Sequence, residues 1–191
     1  MRIVFVGFLS LIILSGCASI SPYQVTNFFV DRDTVPQLRA QRIAVLPFQN
    51  SSGDYSAGSK VADEFNLQLG KLAAFDLIER IRVDELYKEQ DFDPDRIDQE
   101  TAVKIGKMLG VHGIILGNVI EYSKGKVGIS IRLVNVETGK QIWQARDTIY
   151  ATDKRVKVLV NGFGQRMRLK RDKEFLTQIL CQLLTQTFKG R

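Results

Sequence analysis

Histidine is nearly absent from this chain. Its 191 residues include one, His112, and the two cysteines, Cys17 and Cys181, lie far from it in sequence. Metal sites assembled from His and Cys, and His-based catalytic triads, need several such groups together. Neither is expected here, and no cofactor is expected. A phosphate-binding Gly-Lys-Ser/Thr run is missing as well. Ser51-Ser52-Gly53-Asp54 precedes a helical pattern and offers backbone N–H groups, but without that lysine it reads as a turn and cap. Gly106, Gly110, Gly113 and Gly117 lack dinucleotide spacing and read as caps and close helix–sheet packing. Glu79, Asp84, Glu85, Glu89 and Asp91 show no pairing signal and read as a solvated face. No nucleophile–base constellation is visible, so a hydrolase is the least favoured reading. The expectation is a protein that is not an enzyme and has no small-molecule substrate. Internal repeats and low-complexity segments are also missing.

No apolar run is long enough to span a bilayer. The nearest is the leader, where Arg2 is followed by about a dozen mostly apolar residues, the length of a signal-peptide core. It ends Leu14-Ser15-Gly16-Cys17, which resembles the lipobox of bacterial lipoproteins. That resemblance implies cleavage between Gly16 and Cys17 and acylation, including palmitate, at Cys17. Each buried CH₂ contributes about 0.8 kcal/mol, so two or three chains hold firmly where one does not. Ala18, rather than Asp, follows the cysteine, which resembles outer-membrane sorting. The expected organisation is a lipoprotein signal peptide at 1–16, a lipid-anchored linker at 17–41 and a domain at 42–191. The place is the periplasmic face of the outer membrane. With Cys17 acylated, Cys181 is the remaining thiol and reads as buried beside the apolar stripe of the last helix.

Apolar content of 45% and charged content of 25% suit one globular domain with a real core. The net charge of +6 favours an anionic neighbour. Nucleic acid would fit the charge but not the compartment, so none is expected.

The domain reads from Arg42–Asp54, RIAVLPFQNSSGD, a buried strand opening into a polar loop. Helical spacing follows over Ser56–Ala74, then a short strand at Phe75–Glu79, a helix over Arg80–Gln90 and another over Gln99–Leu109 with Gly110 as its cap. Gly113–Ile120 reads as a second buried strand. Tight turns at Tyr122–Lys126 and Glu137–Lys140 separate it from two more strands, the first with one wet face. An apolar stripe over Glu174–Phe188 closes the chain. The expected fold class is α/β: a single domain with a mixed β-sheet and helices packed on it, in the order β-α-β-α-α-β-β-β-α. Phe28-Phe29-Val30 in the linker reads as a docking contact to the core.

These pieces resemble the curli production assembly/transport component family (CsgG-type). Its structural relatives include lipoprotein activators of penicillin-binding proteins and the N-terminal domain of TolB. The matching residues are RIAVLPFQNSSGD, FDLIER at Phe75–Arg80, ELYKEQ at Glu85–Gln90, AVKIGKMLGVHGIILGNVIEY at Ala102–Tyr122, and RLVNVETGKQIW. The resemblance implies a CsgG/anticodon-binding-domain-like fold. It also implies a homo-oligomer that supports secretion or assembly of a curli-like cell-surface structure, with other envelope or secretion proteins as partners. The alternative it implies is a lipoprotein activator of a penicillin-binding protein. The family's type member adds two transmembrane hairpins per protomer. Here only a tight turn stands at the first position. At the second, Val156, Val158 and Val160 alternate with Lys157, Leu159 and Asn161, as a single barrel hairpin would.

The same stretch carries Arg155, Lys157, Arg166, Arg168, Lys170, Arg171 and Lys173 against Asp172. It reads as a patch for anionic head groups or an acidic partner face, set against a solvated loop before the last helix.

Overall fold

The computed structural model describes residues 20–189, and Gly16 and Cys17 lie outside them. Seven strands form one mixed sheet. They are β1 (Phe28–Val30), β2 (Arg42–Val45), β3 (Gln49–Asn50), β4 (Asp76–Leu77), β5 (Gly113–Ser123), β6 (Lys126–Asn135) and β7 (Gln141–Tyr150). Their order is β1-β7-β6-β5-β2-β4, with β3 also on β5. β2 runs parallel to β4 and β5, whereas β5, β6, β7 and β1 pair antiparallel in succession. The helices are α1 (Thr34–Gln37), α2 (Ala57–Gly70), α3 (Arg80–Gln90), α4 (Gln99–Leu109), α5 (Lys154–Val158), α6 (Gly162–Arg171) and α7 (Lys173–Gln186). The chain is thus the α/β domain expected, a mixed sheet with helices packed on it.

The two faces of the sheet build two cores, and the alternation of β2 shows how. Ile43 and Val45 point into the core under α2 and α7, while Ala44 and Leu46 point into the one under α3 and α4. The first core is centred on Phe48, Phe65 and Trp143, all but excluded from water. Burying one side chain such as Phe65 contributes about 1.5–3 kcal/mol. Trp143 stacks on Phe188, ring centroids 4.0 Å apart and planes 15° from parallel, and its indole N–H donates to Thr187 Oγ1 at 3.0 Å. That bond satisfies the one polar atom of a fully buried side chain.

Local chemistry sets the boundaries. Asp98 caps α4 by accepting the Thr101 N–H at 2.8 Å, and Gly110 ends it in the left-handed region at φ 66°. The β5–β6 turn is only Lys124-Gly125, with Gly125 at φ 78°. Cys181 is a free, fully buried thiol in α7. His112 is exposed, and among the described residues no group of His, Cys, Asp and Glu is placed to hold a metal ion.

One stretch differs from the sequence reading, and one expected contact, the docking of Phe28, forms. Residues 154–158 and 162–171 are helical and a short turn joins them, so the alternation at Val156–Val160 is not a barrel strand. Val156 and Val160 turn into the core while Val158 stands exposed, the spacing of one helical turn rather than a pleat. The segment before Arg42 is also packed. Val25 and Val35 are buried, and Phe28 pairs with Ala145 of β7 and faces the core while Phe29 is exposed.

Candidate functional site

The seven basic residues singled out in the sequence fall on α5, α6 and the first residue of α7. Three are spoken for within the fold. Arg155 pairs with Asp153 at 2.8 Å and lies over the Tyr23 ring, 4.7 Å from its centre. Arg168 pairs with Asp172 at 2.8 Å and lies 4.3 Å over the Phe175 ring. Lys173 pairs with Asp54 and sits over Tyr122. The rest of the patch is different. Arg166, Lys170 and Arg171 are exposed and pair with no carboxylate among the described residues. Lys157 is half-buried and helps to lower the Asp153 pKa.

Two of the acids that hold the patch together, Asp153 and Asp172, also cap helices. Asp153 accepts the Arg155 N–H at 2.8 Å at the start of α5. Asp172 ends α6 in an extended conformation and caps α7 by accepting the Phe175 N–H at 3.0 Å. That N–H, and then the Arg168 guanidinium, hold the Asp172 carboxyl below the usual range. The break at Asp172 separates the basic α6 from the apolar α7.

α6 is fixed to the domain chiefly by Leu169, which is fully buried. Its outer face carries Phe163, Arg166, Met167 and Lys170 at helical spacing. Phe163 is 81% exposed, a large apolar side chain with the cations Arg166 and Lys170 one and two turns away. This face of α6 therefore carries one exposed aromatic ring among cations. The sequence showed the charges but not Phe163, because only the helix places it among them.

Tyr23, also unsingled in the sequence, brings the N-terminal segment to this place. Its N–H donates to the Arg155 carbonyl at 3.2 Å and its hydroxyl to Asp147 Oδ1 at 2.9 Å. Burial, with that hydroxyl bond next, pushes its pKa up to about 12. The chain therefore enters the domain against the first residue of the patch.

A family model, curli production assembly/transport component CsgG, matches residues 30–126, which run from the end of β1 to the start of β6. Several solved structures share the fold. The lipoprotein GNA1162 from Neisseria meningitidis is 21% identical, with a TM-score of 0.51 over 58% of this chain and 80% of its own. A PelC dodecamer from Paraburkholderia phytofirmans is 13% identical, TM-score 0.51, covering 88% and 96%. LpoB from Escherichia coli, solved by NMR, is 12% identical, TM-score 0.51, covering 78% and 82%. Among curated proteins none matches.

Proposed function

The chain belongs to the curli production assembly/transport component (CsgG) family, and from that premise we propose that it is a non-catalytic lipoprotein of the outer membrane. Acyl chains on Cys17 hold it at the periplasmic face. There it assembles as a homo-oligomer and supports secretion or assembly of a cell-surface structure. The observation that carries this reading is the position of Tyr23. Five residues separate it from Cys17, and the six steps between them span at most about 22 Å. Tyr23 is bonded to Arg155, so the anchor enters beside α5 and α6. The free cations Arg166, Lys170 and Arg171, with Phe163 among them, then face the lipid. One lipid anchor plus a basic, aromatic face is a two-signal attachment. Assembly of several copies is supported by the likeness to PelC, whose structure is a dodecamer.

The alternative, stimulating a penicillin-binding protein, requires reach across the periplasm, and the short tether to Tyr23 counts against it.

Co-sedimentation with vesicles tests the membrane face. A mature chain with Cys17→Ser should bind phosphatidylglycerol vesicles and not phosphatidylcholine ones. Arg166→Glu with Lys170→Glu should weaken binding roughly 30-fold or more, from ~1 kcal/mol per basic residue near an anionic surface. Light scattering behind size exclusion tests assembly. A strict monomer that ignores anionic vesicles would remove the proposal.

A further inference from the structure

Away from α5 and α6, on the sheet face partly covered by α4, lies a small polar pocket of about 80 Å³. Sheet register builds it. Asn118 of β5 stands opposite Ser130 of β6, and Arg132 of β6 stands opposite Gln144 of β7. Positions two apart on a strand share a face, so these four side chains form one block. Pro47 and Ile97 supply apolar walls, and Gln49 closes one side.

The hydrogen bonds already made determine what the block has left to offer. Asn118 Oδ1 accepts from Ser51, which leaves its NH₂ free. Gln144 Oε1 accepts from Gln141 Nε2, which leaves its NH₂ free. Arg132 is half-buried, and its Nε–H is shut off from water with no acceptor among the described residues. The neighbouring acids are engaged elsewhere: Asp95 accepts the Asn50 N–H, and Asp98 caps α4. The field of Arg132 reaches Asp98 without forming an ion pair. Arg132 lines the pocket and forms no ion pair among the described residues, so the terminal N–H groups of its guanidinium are left for an incoming acceptor.

We propose that this pocket binds a carboxylate group. The guanidinium takes the two oxygens side by side, and the Ser130 hydroxyl and the two free amides fill the remaining lone pairs. A pocket well below the ~300 Å³ of ordinary ligand sites admits a small group rather than a whole cofactor. One guanidinium beside the engaged Asp95 and Asp98 suits a planar monoanion better than a phosphate dianion. Apolar walls strengthen each bond by lowering the local dielectric.

The test uses the full mature chain with Cys17→Ser, labelled with ¹⁵N. The Arg132 Nε–H resonance is assigned by its loss in Arg132→Gln. It is followed against sodium acetate, sodium sulfate, and the peptide acetyl-Gly-Asp-Gly-amide with its Asn counterpart, all at fixed ionic strength. Saturable shifts with acetate support the site as one for free small carboxylates. Saturation with the Asp peptide alone supports a carboxylate presented by a polypeptide. Ser130→Ala, which leaves β6 otherwise intact, should weaken either by about five- to tenfold. It also keeps the test decisive if Arg132→Gln does not fold. No saturation with either carboxylate, or sulfate binding as tightly as acetate, overturns the proposal.

Discussion

Lys173, the first residue of α7, reaches across to Asp54 before α2 and holds its ammonium 4.4 Å from the centre of the Tyr122 ring. The pair ties the entrances of the two helices that cover one face of the sheet. The lysine, with Ser56 adding two bonds, lowers the Asp54 pKa from 3.8 to about 2. A lowered carboxyl pKa contributes stability that is complete above the unfolded value and is lost as pH falls through the folded one. We expect this contribution to fade between about pH 4 and pH 2. Thermal melts across that range should show a steeper loss for the parent than for Lys173→Met. Equal slopes would show that the pair does not matter to folding.

The stack of Trp143 on Phe188 joins the sheet to the end of the chain. Phe188→Ala removes the ring that covers the buried indole and should cost about 3–5 kcal/mol in urea unfolding. The near-UV circular dichroism of the single Trp should collapse at the same time. A stable variant with an unchanged Trp signal would count against the packing.

Gly58 admits the backbone of Phe48. A methyl group there would stand 2.3 Å from the Phe48 carbonyl oxygen, and main chain on both sides leaves no easy relief. Gly58→Ala is expected to destabilise by about 1–3 kcal/mol. Gly164, inside α6 with open space around it, is the control. Gly164→Ala should stabilise by about 0.5–1 kcal/mol through helix propensity. Urea midpoints of the two variants should therefore move in opposite directions.

Burial raises the Cys181 thiol well above its ordinary pKa. In a Cys17→Ser chain, Ellman's reagent should find no reactive thiol under native conditions and one per chain in denaturant. Rapid native labelling would place Cys181 on the surface.

The helices α3 and α4 have the residue limits read from the sequence, because caps and turn residues bracket them. α5 and α6 are hidden in the sequence for a physical reason. α5 is barely one turn of helix, over which Val156, Val158 and Val160 mimic a pleat. α6 buries Leu169 alone, so no apolar stripe announces it. β1 was legible only as an apolar patch, since its partners in β7 lie more than a hundred residues away. The basic residues were plain in the sequence, but Lys173 and Asp54 are 119 positions apart, and only the fold shows which cations are neutralised. The block around Arg132 was readable as the wet face of a strand. That its guanidinium is left without a partner depends on Ser51, Gln141 and Asp98 engaging the groups beside it.

The outermost strands, β1 and β4, are three and two residues long. Such stubs expose too few unpaired backbone groups to template the addition of another strand. Two copies of the domain meeting end to end at these stubs would therefore find little ladder to continue. Contacts between copies would fall instead to helix faces, to loops and to the end of β7 that β1 leaves uncovered, Asp147–Tyr150, which pairs with β6 alone.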